Sequence, residues 1–279
     1  MRGSVLSRYP VRPRCPDDLG ELRETAEDIL CTSCGRRFHD LQGLLQLLPN
    51  PAGSGFSTEN EELARYSSSF SHRSERDWHQ PIRTALNLLG NAYLYGWAKG
   101  ELRRSFPTNG GIILDAACGD GILHSFIPPV HEYLGVDFST RLLVRAQRLH
   151  RAPYLQADLN HLPFAEACFD IVVSLQALQY LNHPELAISE FARVLRPSGT
   201  LLLSLPNARS IKYRVQGLAA IQVQRFDRLR VEAMLSSHFE IKQLRTQGLW
   251  IPIPKIPLHF GGSYPEHCGL SWTINALRI

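Results

Sequence analysis

From Ile112 onward the chain alternates short apolar runs with longer mixed segments. The runs are Ile112 to Asp115, Tyr133 to Asp137, Pro153 to Ala157, Phe169 to Leu175, Thr200 to Leu205, Phe239 to Thr246 and Ser271 to Arg278. The first is apolar at consecutive positions, as a parallel strand buried on both faces must be. The alternation predicts an α/β fold: a mostly parallel sheet with helices on both faces. Upstream, between Glu59 and Phe106, the residues Leu86, Leu89, Tyr93, Leu94 and Trp97 recur at helical spacing and predict a lid or first helix over the sheet. Pro49 to Ser57 is rich in Pro, Gly and Ser and marks a boundary. The pattern therefore divides into a small module at 1–50, a linker and helical cap at 51–108, and a main domain at 109–279. Gly248 to Gly269 carries Pro252, Pro254, Pro257 and Pro265, too many for an uninterrupted central strand, and predicts a long insertion before the last strand.

The candidate chemistry starts where the first strand ends. Ile112 to Gly121 reads I-I-L-D-A-A-C-G-D-G, an apolar strand running into a carboxylate and a turn of small residues. Such a turn lets backbone N–H groups approach a ligand closely. The second strand, Y-L-G-V-D, ends in Asp137, 22 residues after Asp115. In doubly wound folds an acid at that place accepts hydrogen bonds from a cofactor's ribose hydroxyls. The ligand expected is a nucleoside-bearing cofactor.

The D-A-A-C-G-D-G turn resembles the first motif of the class I S-adenosylmethionine-dependent methyltransferases, an acid followed by G-x-G-x-G. The resemblance continues through Gln156-Ala157-Asp158-Leu159, Leu162-Pro163-Phe164, Phe169-Asp170-Ile171-Val172-Val173-Ser174, Glu190-Phe191 and Leu195-Arg196-Pro197-Ser198-Gly199. These pieces are similar to those of small-molecule methyltransferases of the ubiquinone and menaquinone type. The resemblance implies a Rossmann-like seven-stranded sheet with the last strand inserted antiparallel, and S-adenosylmethionine as cofactor. It implies that Asp115 orients the loop or meets the cofactor's amino group, and that backbone around Ala117 and Gly119 contacts its amino-acid end. Asp137 would serve the ribose, Asp158 and Leu159 the adenine, and Ser174 and Leu175 the sulfonium, with Phe138 a further cofactor-binding candidate. Ala117 stands where the family has its first glycine, and a methyl group there is tolerated if that residue keeps a negative φ. The stretch before the first strand folds over the methionine end in similar enzymes, which makes Tyr66, His79 and Arg83 further candidates. His79 and His183 are candidates for a general base; each also reads as an ordinary surface or capping histidine. Cys118 reads as a small buried residue rather than a nucleophile.

The N-terminal segment, with Cys15, Asp18, Cys31, Cys34 and His39, resembles a degenerate zinc ribbon. One C-x-x-C knuckle, Cys31 and Cys34, is intact; the other has Asp18 in place of its second thiolate. Either Asp18 or His39 would complete a Zn²⁺ site with Cys15, Cys31 and Cys34. The alternative is a relic held by the apolar residues Ile29, Phe38, Leu41, Leu44 and Leu45.

Length and composition set the remaining bounds. A chain of 279 residues that is 44% hydrophobic can bury a full core and carry a small appendage. No apolar run is long enough to span a bilayer and the start lacks a signal-peptide core, so a cytoplasmic protein is expected. Six cysteines then read as reduced thiols or metal ligands. The net charge of +4 permits an anionic partner without demanding nucleic acid. Between the fifth and sixth strands lies a basic stretch with Arg209, Lys212, Arg214, Arg225, Arg228 and Arg230 against a single acid, Asp227, in the region where the family roofs its substrate pocket. Trp250, Ile251, Ile253, Ile256 and Phe260 would give an apolar wall for a lipid-like or aromatic substrate, or pack on the sheet edge.

The leading expectation is methyl transfer to a small or medium metabolite, anionic or apolar-aromatic, with an O-, N- or C-acceptor open. The alternative is an rRNA base methyltransferase acting on a ring nitrogen, since some bacterial rRNA guanine methyltransferases carry a similar ribbon with three cysteines and a histidine. A third reading keeps the fold without turnover, or for cyclase-type use of the cofactor's charge.

Overall fold

A computed structural model of the chain describes residues 4–26, 28–41, 43–50, 93–104, 110–211, 224–251 and 258–279. The N-terminal strands are short: β1 (Leu22–Glu24), β2 (Ile29–Cys31), β3 (Arg37–Phe38), β4 (Asp40–Leu41) and β5 (Leu44–Leu47). Helix α1 (93–104) precedes β6 (Ile112–Ala116). Then follow β7 (Glu132–Asp137), α2 (Thr140–Leu149), β8 (Tyr154–Ala157), β9 (Phe169–Leu175), α3 (Pro184–Val194) and β10 (Leu195–Pro206). The chain closes with α4 (Arg228–Leu235), β11 (Phe239–Ile251), β12 (Leu258–Tyr264) and β13 (Gly269–Arg278).

β1, β2 and β3 form a three-stranded antiparallel ribbon, and the other ten strands form one sheet ordered β12-β11-β13-β10-β9-β6-β7-β8-β5-β4. All seven expected strands are present. β13 runs antiparallel between β10 and β11, as the resemblance implied. The sheet is longer than the seven strands expected, at both ends. The proline-rich stretch is not a plain insertion: β11 runs on to Ile251 and β12 returns antiparallel along it, Trp250 opposite His259. Pro252, Pro254 and Pro257 lie outside the described residues. At the other end β5 pairs in parallel with β8, Leu45 opposite Leu155 and Leu47 opposite Ala157. The N-terminal hairpin β4–β5 is thus part of the main sheet.

Burial on both faces follows from the run of β6. Ile113 packs with Trp97, Ala98 and Leu102 of α1 and with Ile171, Val173 and Leu202. Leu114 packs on the opposite face with Ala187, Ile188 and Phe191 of α3, in a core that also takes Cys15, Leu22, Ile29, Cys31 and Phe38 of the ribbon. α2 begins at Ser139, whose side chain accepts from Leu142 N, and buries Leu143 and Ala146 against Leu44, Tyr133 and Tyr154. Helices on both faces leave the carboxyl ends of β6, β7, β8 and β9 at one edge, and the order reverses between β7 and β9 on either side of β6. Open α/β sheets bind ligands at that place.

Candidate functional site

The loop after β6 is built by its own backbone. Ala117 N and Cys118 N both donate to Val136 O at 2.9 Å, and Gly121 N donates to Cys118 O at 2.9 Å. Ala117, Gly119 and Gly121 all take left-handed backbone, with φ of 69°, 57° and 76°. The negative φ on which an alanine was expected to be tolerated at position 117 is not found. The tight bend out of β6, pinned by two N–H groups on one carbonyl, imposes the glycine-like conformation on an alanine. A Cβ at Gly119 would meet nothing within 4 Å, whereas one at Gly121 would collide with Tyr154 Oη. Gly121 is required by protein packing; Gly119 borders open space.

Asp115 lies beneath this loop, 3% exposed, and accepts from Tyr133 Oη at 2.7 Å. Burial pushes its carboxyl up to about 7, against that hydrogen bond and with the charge of Asp137 adding to the rise. Asp137 takes Gly119 N on Oδ2 and Ser139 N on Oδ1, both at 2.8 Å. Its carboxyl is also raised, by burial first. Each oxygen keeps lone-pair capacity after one backbone bond, so the group can still accept from a pair of hydroxyls. Burial pushes the Cys118 thiol well up, which suits a packing residue and not a nucleophile.

Directly after β8, Asp158 is buried, with Oδ1 accepting from Asn160 N at 2.9 Å and Oδ2 lying 3.7 Å from His161 Nδ1. Leu159 is buried beside it. The segment is clamped from α3: Arg193 donates to Leu162 O at 2.8 Å and Phe164 O at 2.7 Å, while Glu190 accepts from Leu162 N at 2.7 Å. Gln156 donates to Phe138 O at 2.8 Å and links this strand to the turn after Asp137. Because Asp137 pairs with Gln156 across β7 and β8, and Asp115 with Val173 across β6 and β9, the three acids and Ser174–Leu175 share one edge.

At the end of β9 Ser174 is fully buried and Leu175 partly so. The next residue, Gln176, has φ 56°, held by Gln176 N on Ser204 Oγ at 3.1 Å. Nothing in the sequence marked it, since glutamine carries no positive-φ signal. Tyr95 was missed as well: it stacks on Phe126 at 5.4 Å, and burial with the nearby charges of Asp115 and Asp120 raises its phenol. His183 precedes α3, with its side chain 64% exposed and Nδ1 3.3 Å from Glu185 Oε1. Tyr66, His79 and Arg83 lie outside the described residues, as do Lys212, Arg214, Ile253 and Ile256. Of the basic stretch, Arg209 faces Glu266 at 3.5 Å, Arg228 faces Glu232 at 2.8 Å, and Arg230 covers the Phe226 ring at 4.6 Å. Those cations are largely spoken for within the protein.

Residues 114–203 match the methyltransferase domain family model. They are a class I methyltransferase domain, of the S-adenosylmethionine-dependent type. Malonyl-(acyl-carrier protein) O-methyltransferase of Erwinia billingiae is 36% identical over 116 residues, 40% of this chain and 46% of that protein. The enzyme of the same name from Enterobacter lignolyticus is 36% identical over 111 residues, 39% of this chain and 44% of that protein. The matches thus span less than half of these relatives. Magnesium protoporphyrin IX methyltransferase from Synechocystis, solved with its methyl donor bound, overlays with a TM-score of 0.56 at 16% identity, covering 79% of this chain and 97% of that one. At that identity the likeness is one of fold. No described helix is long and apolar enough to cross a membrane.

Away from the methyltransferase edge, the ribbon gathers a second set of donors. Cys15, Asp18, Cys31 and Cys34 offer ligand atoms all within 4.8 Å of one another. Cys15 Sγ is 3.7 Å from Cys34 Sγ, and Cys31 Sγ is 3.4 Å from Asp18 Oδ1. A tetrahedral Zn²⁺ with Zn–S of about 2.3 Å and Zn–O of about 2.0 Å places sulfurs ~3.8 Å apart and sulfur and oxygen ~3.5 Å apart. The donor set fits that ion. Ser33 N also donates to Cys31 Sγ at 3.4 Å. The set draws on Asp18 and not His39, whose Nδ1 lies 2.7 Å from Asp28 Oδ1. The three-cysteine-plus-histidine set that favoured an RNA substrate is therefore not formed. Leu41, one of the apolar residues read as holding a relic, is 54% exposed.

Proposed function

We propose that this protein transfers a methyl group from S-adenosylmethionine to a small or medium metabolite, and that its ribbon holds a structural Zn²⁺. The observation that carries the first part is the open cradle at Gly119 beside Asp137, which a nucleoside-bearing ligand would fill. Asp137 would accept from both ribose hydroxyls. Asp158 and the Leu159 backbone would read the adenine, Asp115 would meet the amino group, and Ala117, Phe138, Ser174 and Leu175 would line the rest. The cofactor supplies an activated methyl on a sulfonium. What the chain must add is alignment, because in-line displacement with a good leaving group draws most of its acceleration from orientation. No general base is assigned. A carboxylate or another already nucleophilic acceptor needs none, and the malonyl group in the name of the curated relatives bears a carboxylate.

The test is incubation of the zinc-replete chain with methyl-labelled donor and a fractionated cell extract. Label in the small-molecule fraction, with stoichiometric S-adenosylhomocysteine, is the expected result. Label in RNA would overturn the substrate class, and cofactor binding without S-adenosylhomocysteine product would overturn transfer itself.

A further inference from the structure

The ribbon and the adenine end of the cofactor edge are one mechanical unit. Arg14, directly before Cys15, donates its backbone N–H to Pro163 O at 2.8 Å, in the segment that follows Asp158 and Leu159. Asp17, directly before Asp18, accepts from Asn50 N at 2.7 Å and from Arg36 at 2.7 Å. That ties the four-donor knuckle to the residues leaving β5. β5 then lies along β8, Gln46 opposite Gln156 and Leu47 opposite Ala157, and β8 is the strand that delivers Asp158. Further up, Tyr9 Oη donates to Tyr154 O at 3.3 Å and Gln147 of α2 donates to Gly43 O at 2.9 Å. Cys15, Leu22, Cys31 and Phe38 share a single core with Leu155, Leu162 and Phe164.

The ribbon itself is made of strands of three, three and two residues, too little to hold shape by its own core. Its shape must come from the metal and from the sheet it docks on. Without the ribbon, β5 loses its anchor and β8 becomes an unprotected edge.

We infer that metal binding at Cys15, Asp18, Cys31 and Cys34 and cofactor binding at Asp137 and Asp158 are positively coupled through β5 and the Arg14–Pro163 contact. The inference rests on the proposed zinc and cofactor readings. It adds that the ribbon positions the adenine segment. Coupling between binding sites is reciprocal. Stripping the metal should weaken S-adenosylhomocysteine about tenfold, and saturating S-adenosylhomocysteine should tighten Zn²⁺ by the same factor, within the usual 5–150-fold range.

The experiment uses the full chain. Zinc content by elemental analysis comes first; a chain that retains no zinc overturns the zinc reading and this inference together. Titration of the loaded chain with S-adenosylhomocysteine comes second, and no heat from it overturns the cofactor reading. The coupling is then read from titrations of loaded and chelator-stripped protein, and from hydrogen exchange over 154–164. Supporting results are the tenfold loss, faster exchange there, and recovery on adding Zn²⁺. Equal affinities within twofold, or exchange changes confined to 14–38, overturn it. Should stripping unfold the chain, competition of the loaded protein with a chromophoric chelator, with and without S-adenosylhomocysteine, reads the same factor from the zinc side. Asp17→Ala keeps all four donors, so zinc content should stay while the coupling factor falls; an unchanged factor counts against the route.

Discussion

Arg193→Ala tests how the adenine segment is held. Four hydrogen bonds leave the guanidinium: two to Glu190 at 2.7 and 2.8 Å, one to Leu162 O and one to Phe164 O. Leu162 and Phe164 are fully buried, and the Arg193 and Glu190 side chains are 18% and 19% exposed. Each carbonyl loses a charged donor worth about 1.5–3 kcal/mol. Solvent reaches the pair and weakens the ionic part, so the net loss is set at about 2–3 kcal/mol in all. Glu190 still accepts from Leu162 N, which keeps the segment from releasing altogether. For a chain of this size the loss corresponds to a Tm drop of about 5–10 °C. Arg193→Lys, which keeps the charge without the planar fork, should fall between. Denaturant melts of the three proteins give the free energies, and S-adenosylhomocysteine titration gives the pocket's response, an expected weakening on the order of tenfold. An Arg193→Ala chain within about 0.5 kcal/mol of the parent, the range of an unconnected surface change, would refute the clamp.

Further outcomes follow from the buried acid and from the residues in left-handed backbone. Asp115, raised to about 7 in the fold, keeps its proton there over a range where the unfolded chain has lost it. Stability should therefore fall as pH rises from about 4 to about 7 and then level, and Asp115→Asn should flatten that slope in melts run across the range. Since the methyl donor brings positive charge to the site, its binding should release a proton near neutral pH, read as a dependence of the titration heat on buffer ionisation enthalpy; the same heat in every buffer would count against it. Gly121→Ala should cost about 2–4 kcal/mol from its φ and the collision with Tyr154, while Gly119→Ala costs about 1 kcal/mol of stability but at least tenfold in cofactor affinity. Equal losses of stability would contradict the cradle. Ala117→Gly and Ser198→Gly, at φ 69° and 61°, relieve about 1 kcal/mol each and give back about half in unfolded-chain entropy, so thermal melts should rise slightly or hold, and a marked drop would show that the methyl or hydroxyl has a role of its own.

The seven strands of the main domain were legible because each is an apolar run whose partners repeat the same pattern. The three added strands were not. Asp40–Leu41 and Leu44–Leu47 are too short to carry a period, and the pairing of Leu45 with Leu155 joins residues far apart in the chain, which no local pattern records. Pro252, Pro254, Pro257 and Pro265 flank β12 in the sequence and disguised it as an insertion. Among the site residues, the acids at strand ends were readable because position and chemistry coincide. Ala117 and Gln176 were not, since left-handed backbone is signalled by glycine and here the surrounding hydrogen bonds impose it on other residues. The choice of Asp18 over His39 turned on Asp28 already engaging the imidazole, a contact between residues flanking β2 and β3 that spacing alone does not reveal.

The central claim is that Asp137 and the Gly119 turn form a site for an adenosyl ligand. Isothermal titration of folded, zinc-replete protein with S-adenosylhomocysteine tests it directly, with Asp137→Ala beside it. The account predicts one saturable site per chain, weakened at least a hundredfold in Asp137→Ala, as expected when two hydrogen bonds to a charged acceptor are lost at about 1.5 kcal/mol each or more. No saturable heat from the folded parent chain, or equal binding by the variant, would contradict it.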